Sequence, residues 1–173
     1  MLPRIMILSD IHGGYFDLNQ ALSIYERENY ERLFVLGDLF GWPYGETDEK
    51  ILERIKGIPD SVIVRGNCDP EIYGIEETVR LTIGDLWITL THGHRCNLMQ
   101  QLGLNSDIIC SGHTHIPSIR EYAGRYLLNP GSVARSRQGP NSFAAIEDGY
   151  IRVKSIQNEI LDEMKLRGMK SLE

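Results

Sequence analysis

The chain has 173 residues, with 18 Lys plus Arg against 24 Asp plus Glu, for a formal charge of −6. That length suits one globular domain, 1–173, which can bury roughly 70% of its unfolded surface without a disulfide or a structural metal. A composition that is 42% hydrophobic and 24% charged excludes a disordered chain, and the acidic balance argues against a nucleic-acid coat, so no stable nucleic-acid complex is expected. Apolar runs such as Ile108–Cys110 fall far short of the ~20 residues of a membrane span, so no membrane partner is expected. The start, MLPRIMILSDIH, lacks the pattern of a signal peptide. Three cysteines, Cys68, Cys96 and Cys110, with no CxxC, do not make a disulfide framework. Together these features predict a cytoplasmic protein.

In chain order, Arg4–Ser9 reads as a buried strand that stops at Asp10-Ile11-His12-Gly13-Gly14. Phe16–Glu28 has helical spacing in Leu18, Ala21, Leu22 and Tyr25. Arg32–Leu36 is a second strand, stopped by Gly37-Asp38. Thr47–Ile55 is an amphipathic helix, with Thr47 as the expected N-cap and Lys50 at N3. Ser61–Val64 is a third strand, stopped by Arg65-Gly66-Asn67. Strand alternating with helix indicates a parallel sheet covered by helices.

The second half reads differently. Thr78–Ile83 and Leu86–Thr91 flank Gly84-Asp85, a hairpin signal. Asp107–Cys110 is a buried strand stopped by Ser111-Gly112-His113. Ser118–Tyr122 and Arg125–Leu128 flank Ala123-Gly124, and Phe143–Ile146 and Tyr150–Ser155 flank Glu147-Asp148-Gly149. Gln157–Leu166 is expected to form a terminal helix, and Arg167–Glu173 a frayed tail. The hairpins imply a second, mixed sheet packed on the first.

Chemistry-bearing residues recur where these strands stop. Asp10 and His12, Asp38, Asn67, His92 and His94, and His113 and His115 each follow an apolar run, and all 5 histidines of the chain are among them. Ligands of open α/β sheets bind outside the carboxyl ends of the strands, where short loops let side chains converge. Taken singly, each motif has a bland reading: a solvated turn for Asp10-x-His12, a turn or cap for Asp38, a left-handed turn for Asn67. Taken together they indicate a metal site. Carboxylate, amide oxygen and imidazole suit a borderline or hard divalent ion such as Mn²⁺, Fe²⁺ or Zn²⁺. Asp10, His12, Asp38, Asn67, His92, His113 and His115 are too many ligands for one such ion. They suit two ions about 3.5–4 Å apart that share a carboxylate.

The ordered motifs DIH (Asp10–His12), GD (Gly37-Asp38), GN (Gly66-Asn67), HGH (His92–His94) and GHTH (Gly112–His115) resemble those of the calcineurin-like metallophosphoesterases. The resemblance runs from Arg4 to about Ser155. The short length, RGNCD (Arg65–Asp69) and NPGS (Asn129–Ser132) resemble the small YfcE-like phosphodiesterase subgroup. The resemblance implies an α/β fold, a four-layer α/β/β/α sandwich of two mixed sheets flanked by helices. It implies two divalent metal ions, with Mn²⁺ preferred and Fe²⁺, Zn²⁺ or Ni²⁺ as alternatives. Asp10, His12 and His115 would hold one ion, Asn67, His92 and His113 the other, and Asp38 would bridge them. Asp38 and Asn67 are the expected catalytic residues, acting in hydrolysis of a small phosphodiester or nucleotide-like substrate by in-line attack of a metal-activated water. His94 fits a position behind the ligands or facing the substrate better than one on a metal ion.

Many members of this superfamily carry His where this chain has Cys68. A thiol of reference pKa near 8.5 is a poor general acid at neutral pH, and losing such a proton donor typically costs about 10²–10⁴ in rate. This favours diesters with good leaving groups; Cys68 itself is read as a small filler residue. Asn129, Gly131 and Ser132 are candidate substrate contacts, against the plainer reading of a Pro-Gly turn. Arg135 and Arg137 are read as solvated loop charges, with pairing to a second phosphate as the other reading. The aromatics of Gly41-Trp42-Pro43-Tyr44-Gly45 suit base stacking, helix packing or a subunit contact equally, and a homo-oligomer is compatible with the sequence. The alternatives to a phosphodiesterase are a phosphomonoesterase or nucleotide phosphatase of the same superfamily, and a Vps29-like protein-binding scaffold, whose ligand sets are typically eroded.

Overall fold

A computed structural model describes residues 2–71, 74–95, 100 and 105–167. The elements are β1 (Ile5–Leu8), α1 (Tyr15–Arg27), β2 (Arg32–Val35), α2 (Glu46–Lys56), β3 (Val62–Ile63), β4 (Thr78–Ile83), β5 (Leu86–Thr91), β6 (Ile108–Ser111), β7 (Ser118–Tyr122), β8 (Arg125–Asn129), β9 (Ser142–Glu147), β10 (Tyr150–Ser155) and β11 (Ile160–Lys165). They form a six-stranded sheet, β11-β10-β9-β1-β2-β3, and a five-stranded sheet, β4-β5-β6-β8-β7.

The layers follow from the two-residue period of a strand. Met6, Leu8, Leu33 and Val35 face one way and pack under Leu18, Leu22, Ile51 and Ile55 of the two helices. Ile5, Ile7, Phe34 and Leu36 face the other way and meet Ile88, Leu90, Ile108 and Leu128 of the second sheet. With both faces covered, β1 must be apolar throughout, which is why it appears in the sequence as an unbroken run. The molecule is thus an α/β sandwich of two mixed sheets with helices outside the first. Over the second sheet no helix lies among the described elements, although Ile109 and Leu127 are buried.

Strand directions position the site. β1, β2 and β3 are parallel, and so are β5, β6 and β8. Their carboxyl ends deliver the loops that carry DIH, GD, GN, HGH and GHTH.

Two local expectations are corrected. Helix α2 starts at Glu46, so Thr47 lies inside it, and the N-cap is Gly45. The first turn is closed by Asp48, whose carboxylate accepts the backbone N–H of Gly45 at 2.8 Å and of Gly41 at 2.7 Å. The segment expected to be a helix over Gln157–Leu166 is the edge strand β11, antiparallel to β10. Asn158, at φ 70°, makes the turn, and Ser155 N–H donates to Glu159 O at 2.8 Å. The apolar residues Ile160, Leu161 and Met164 mimic helical spacing, but pairing with β10 and the Arg152–Glu163 ion pair at 3.0 Å settle the segment as a strand. The tail expected to fray lies outside the described residues beyond Arg167, and Cys96 lies outside them as well.

Candidate metal centre

The loops at the strand ends are tightly crossed. Asp10 N–H donates to Gly37 O at 3.1 Å, and His12 N–H to Asp38 O at 2.9 Å, so the loops after β1 and β2 brace each other. A Cβ on Gly66 would overlap Asp38, and one on Gly112 would overlap the Ser9 hydroxyl and approach Asp10 Oδ2. Glycine precedes Asn67 and His113 because there is no room there for a side chain. Asp10, His12, Asp38, His113 and His115 all have positive φ, between 45° and 67°. Left-handed backbone at non-glycine residues costs of order 1–3 kcal/mol each, and such strain concentrates at functional sites.

Two groups of ligand atoms result. In the first, His115 Nε2 lies 3.2 Å from both Asp10 Oδ1 and His12 Nε2, and His12 Nε2 lies 3.6 Å from Asp10 Oδ1. In the second, His92 Nε2 lies 3.1 Å from Asn67 Oδ1 and 3.3 Å from Asp38 Oδ2. Asp38 Oδ2 links the groups, since it also lies 3.6 Å from His12 Nε2. The His113 ring stands edge-on to His92, with centroids 5.2 Å apart.

The protons show what this arrangement lacks. His92 Nδ1 lies 2.7 Å from the carbonyl of Leu36, and His115 Nδ1 lies 2.7 Å from the carbonyl of Arg135. A carbonyl only accepts, so each Nδ1 carries a proton, and in the neutral form of the ring the Nε2 lone pair faces inward. There it meets further lone pairs on carboxylate, amide and imidazole. Asp10 Oδ1 is buried and makes no hydrogen bond among the described residues, whereas its Oδ2 accepts from Ser9 Oγ at 2.7 Å and His113 N–H at 3.0 Å. Buried lone pairs that converge without a donor require a cation. The donor set therefore fits divalent metal.

The titration behaviour agrees. Burial alone would raise the Asp10 carboxyl, but the imidazoles of His115, His12 and His92 hold it well below the usual carboxylate range. Asp38 is likewise lowered, burial being outweighed by His92 and by the Cys68 N–H at 2.8 Å. Burial would depress His92, but the Asp38 carboxylate raises it, and contact with Asp10 raises His115. The carboxylates stay charged, and they draw a cation to the Nε2 faces of the two imidazoles, either a proton or a divalent ion in its place.

Over these atoms opens a cavity of about 310 Å³ lined by His12, Asp38, Asn67, Cys68, His113, His115, Arg135 and Arg137. Cys68 faces this cavity, contrary to its reading as filler. Its thiol is pushed up to about 12 by burial and by the Asp38 charge, so it is uncharged at neutral pH. Arg135 and Arg137, read from sequence as solvated, stand on the cavity wall. His94 lies beside His92, with ring centroids 5.5 Å apart, and burial depresses its basicity.

Asn129, Gly131 and Ser132 do not line the cavity over the ligands, although Asn129 lines a neighbouring one with Gly112 and His113. The Asn129 amide donates to Gly112 O at 2.9 Å and Thr114 Oγ1 at 3.1 Å, and its oxygen accepts Gly131 N–H at 2.9 Å. Ser132 Oγ donates to Asp10 O at 2.7 Å and accepts Arg135 N–H at 2.8 Å. Their polar atoms are spent holding the DIH, GHTH and arginine-bearing loops together.

Sequence reasoning missed Asp69. Buried at 8% exposure, it accepts backbone N–H groups from Asp38 at 2.7 Å, Gly66 at 2.8 Å, Leu39 at 2.8 Å and Phe40 at 3.3 Å. It fastens the GD loop to the GN loop. Tyr44, whose hydroxyl donates to Cys68 O at 2.8 Å, ties the aromatic loop to the same place, while Trp42 stands 82% exposed.

A two-sheet sandwich whose strand ends gather aspartates, histidines and an asparagine around a cation-demanding gap defines a metal-dependent phosphoesterase. The chain belongs to the calcineurin-like phosphoesterase superfamily, whose domain matches residues 4–148. Within it, the chain is 28% identical over 176 residues to phosphodiesterase YfcE of Escherichia coli, covering 91% of this chain and 95% of that one. The solved structure of the E. coli YfcE phosphoesterase superposes with a TM-score of 0.82 at 25% identity, covering 94% of this chain and 99% of that one. Its similarity is thus to the YfcE-like subgroup, and it is a hydrolase of the phosphoesterase class. Vacuolar protein sorting 29 of Cryptosporidium parvum, with TM-score 0.69 and 21% identity over 95% of this chain and 98% of that one, shares the fold. No helix of the described residues is long and apolar enough to cross a membrane.

Proposed function

We propose that the chain is a phosphodiesterase that holds two divalent ions, Mn²⁺ foremost, and hydrolyses a small phosphodiester or nucleotide-like substrate. The observation that carries this reading is the pair of inward-facing lone-pair groups joined by Asp38 Oδ2, at 3.3 Å from His92 Nε2 and 3.6 Å from His12 Nε2. Asp10, His12 and His115 would hold one ion, and Asn67, His92 and His113 the other, with Asp38 shared. Such ions, when bound, supply Lewis acidity toward phosphoryl oxygens and make water acidic near neutral pH.

The chain's own residues supply the rest. Leu36 O and Arg135 O fix the tautomers of His92 and His115, so that ligation needs no ring rearrangement. Asn67 and Asp38 present oxygens from loops that Asp69 locks together, and that rigidity keeps the reacting atoms aligned. His94, whose ring centroid lies 5.5 Å from that of His92, would face the substrate from beside the ligands. Cys68 occupies the cavity as a neutral thiol whose raised pKa makes it neither nucleophile nor effective proton donor near pH 7. Without an imidazole at this position the site favours a leaving group that departs unaided, and this supports a diester substrate over a monoester.

The test strips the protein with chelator, restores Mn²⁺ and compares an aryl phosphodiester with the matching monoester. Metal-dependent cleavage of the diester alone supports the proposal. Equal or faster monoester cleavage reopens the substrate class. No turnover of either, with metal bound, brings the protein-binding scaffold forward.

A further inference from the structure

Arg135 and Arg137 line the same cavity as His12, Asp38, Asn67, His113 and His115. Their backbone is fixed to the ligand-bearing loops. Arg135 O accepts from His115 Nδ1 at 2.7 Å, Arg135 N–H donates to Ser132 Oγ at 2.8 Å, and Arg137 N–H donates to His115 O at 3.1 Å. The turn is closed further by Ser136 N–H on Asn141 Oδ1 at 3.1 Å and Ser136 Oγ on Gln138 O at 2.9 Å. The Arg135 guanidinium leans on His12 O at 3.3 Å, and among the described residues neither guanidinium pairs with a carboxylate. Both side chains are exposed, but the backbone that carries them is held against the ligand-bearing loops. Two planar donor forks, two residues apart on a braced turn beside the ligands, suit an anion with several oxygens.

That anion is not the scissile group alone. A diester carries one negative charge, which divalent ions on the ligands would by themselves offset. Two guanidiniums on the same cavity are matched by a substrate with further negative charge. We propose that Arg135 and Arg137 form a subsite for a second phosphate, so that the substrate is a phosphodiester bearing an additional phosphate group on one ester arm. This rests on the phosphodiesterase reading and narrows its substrate class.

The experiment uses the Mn²⁺-loaded protein with a matched pair of substrates, thymidine 5′-(4-nitrophenyl phosphate) with and without a 3′-phosphate. The expected result is a KM lower by about tenfold for the 3′-phosphorylated diester, the size of a charge-assisted pairing. R135Q and R137Q are expected to bring the two KM values together, and R135K and R137K to leave part of the gap. Equal KM values in the unaltered protein, a preference that survives both Gln variants, or a loss of the same size on both diesters would each overturn the proposal. Calorimetry with thymidine 3′,5′-bisphosphate and thymidine 5′-monophosphate reads the preference without turnover. If neither diester is cleaved, the phosphodiesterase reading fails, and calorimetry alone decides the subsite: tighter binding of the bisphosphate, weakened by R135Q and R137Q, supports it, and equal binding overturns it.

Discussion

The Asp69 carboxylate receives the backbone N–H of Asp38, 31 positions earlier in the chain, at 2.7 Å. The same oxygen takes Gly66 N–H at 2.8 Å, and its partner oxygen takes Leu39 N–H at 2.8 Å. A residue that does not itself line the cavity thereby sets where Asp38 and Asn67 stand. Asp69→Asn keeps the size but turns an acceptor into a donor facing N–H groups, which costs about 1–3 kcal/mol for buried groups left unsatisfied. The expected outcome is a lower melting temperature together with a higher Mn²⁺ concentration for half-maximal diesterase activity. An unchanged Mn²⁺ dependence would show that Asp69 serves stability alone.

Gly112 makes a sharper case, because its missing side chain leaves room for the ligand beside it. A Cβ there would overlap Ser9 Oγ and press on Asp10 Oδ2. Gly112→Ala should displace Asp10 from His115 and reduce bound metal, while the apolar core between the sheets stays intact. Metal content after dialysis, measured beside a thermal melt, checks this. Full metal occupancy in the variant would mean the loop gives way at little cost.

The ligand-bearing positions were legible because each is local to a strand end. An apolar run followed by Gly-Asp, Gly-Asn or Gly-His announces both the strand and the residue that projects beyond it. The hairpin turns at Gly84-Asp85 and Ala123-Gly124 were legible for the same reason. The division of the ligand set came from family resemblance, and the two groups around His115 and His92 are consistent with it. Asp69 was not legible, since its partners Asp38, Leu39 and Phe40 come from another strand end and nothing in Asn67-Cys68-Asp69 announces them. Arg135 and Arg137 are exposed, as the sequence suggested, but their place on the cavity wall is set by Ser132, Asn141 and His115, which only folding brings together. Strand β11 was missed because an edge strand exposed along almost its whole length carries little alternation, and Ile160-Leu161 with Met164 fits a helix equally well.

Cys68 supplies a prediction about chemistry. With its pKa pushed up to about 12 by burial and the Asp38 charge, the thiol is protonated at neutral pH. Iodoacetamide should therefore react with it slowly at pH 7.5. If Cys68 donated a proton to the leaving group, Cys68→Ser would lower the rate by about 10²–10⁴. The expected loss on an aryl diester is less than about tenfold, since an aryloxide departs without such help. A loss in the larger range, with metal content unchanged, would assign the thiol a direct role.

A second network of charged side chains lies on the six-stranded sheet, away from the metal centre. Glu147 has a side chain 1% exposed, and its carboxylate meets Lys154, Arg4 at 2.6 Å and Arg152 at 3.1 Å, with the Tyr30 hydroxyl donating at 2.9 Å. Burial alone would raise the Glu147 carboxyl, but Lys154, Tyr30 and Arg152 outweigh it and hold it below its usual value of 4.5. A carboxyl whose pKa is lowered by folding contributes stability that is complete above the unfolded value. That contribution is lost as pH falls through the folded value. Glu147→Gln removes the charge but leaves three cations in place, and breaking a buried pair in this way costs about 3–5 kcal/mol. Urea unfolding should show the deficit in full at pH 7, shrinking once the pH drops below about 4.5. Diester hydrolysis at 25 °C should be unaffected in the folded fraction, because none of these side chains reaches the cavity over the ligands. A deficit of the same size at pH 3 as at pH 7 would show that packing around Glu147, and not its charge, provides the stability.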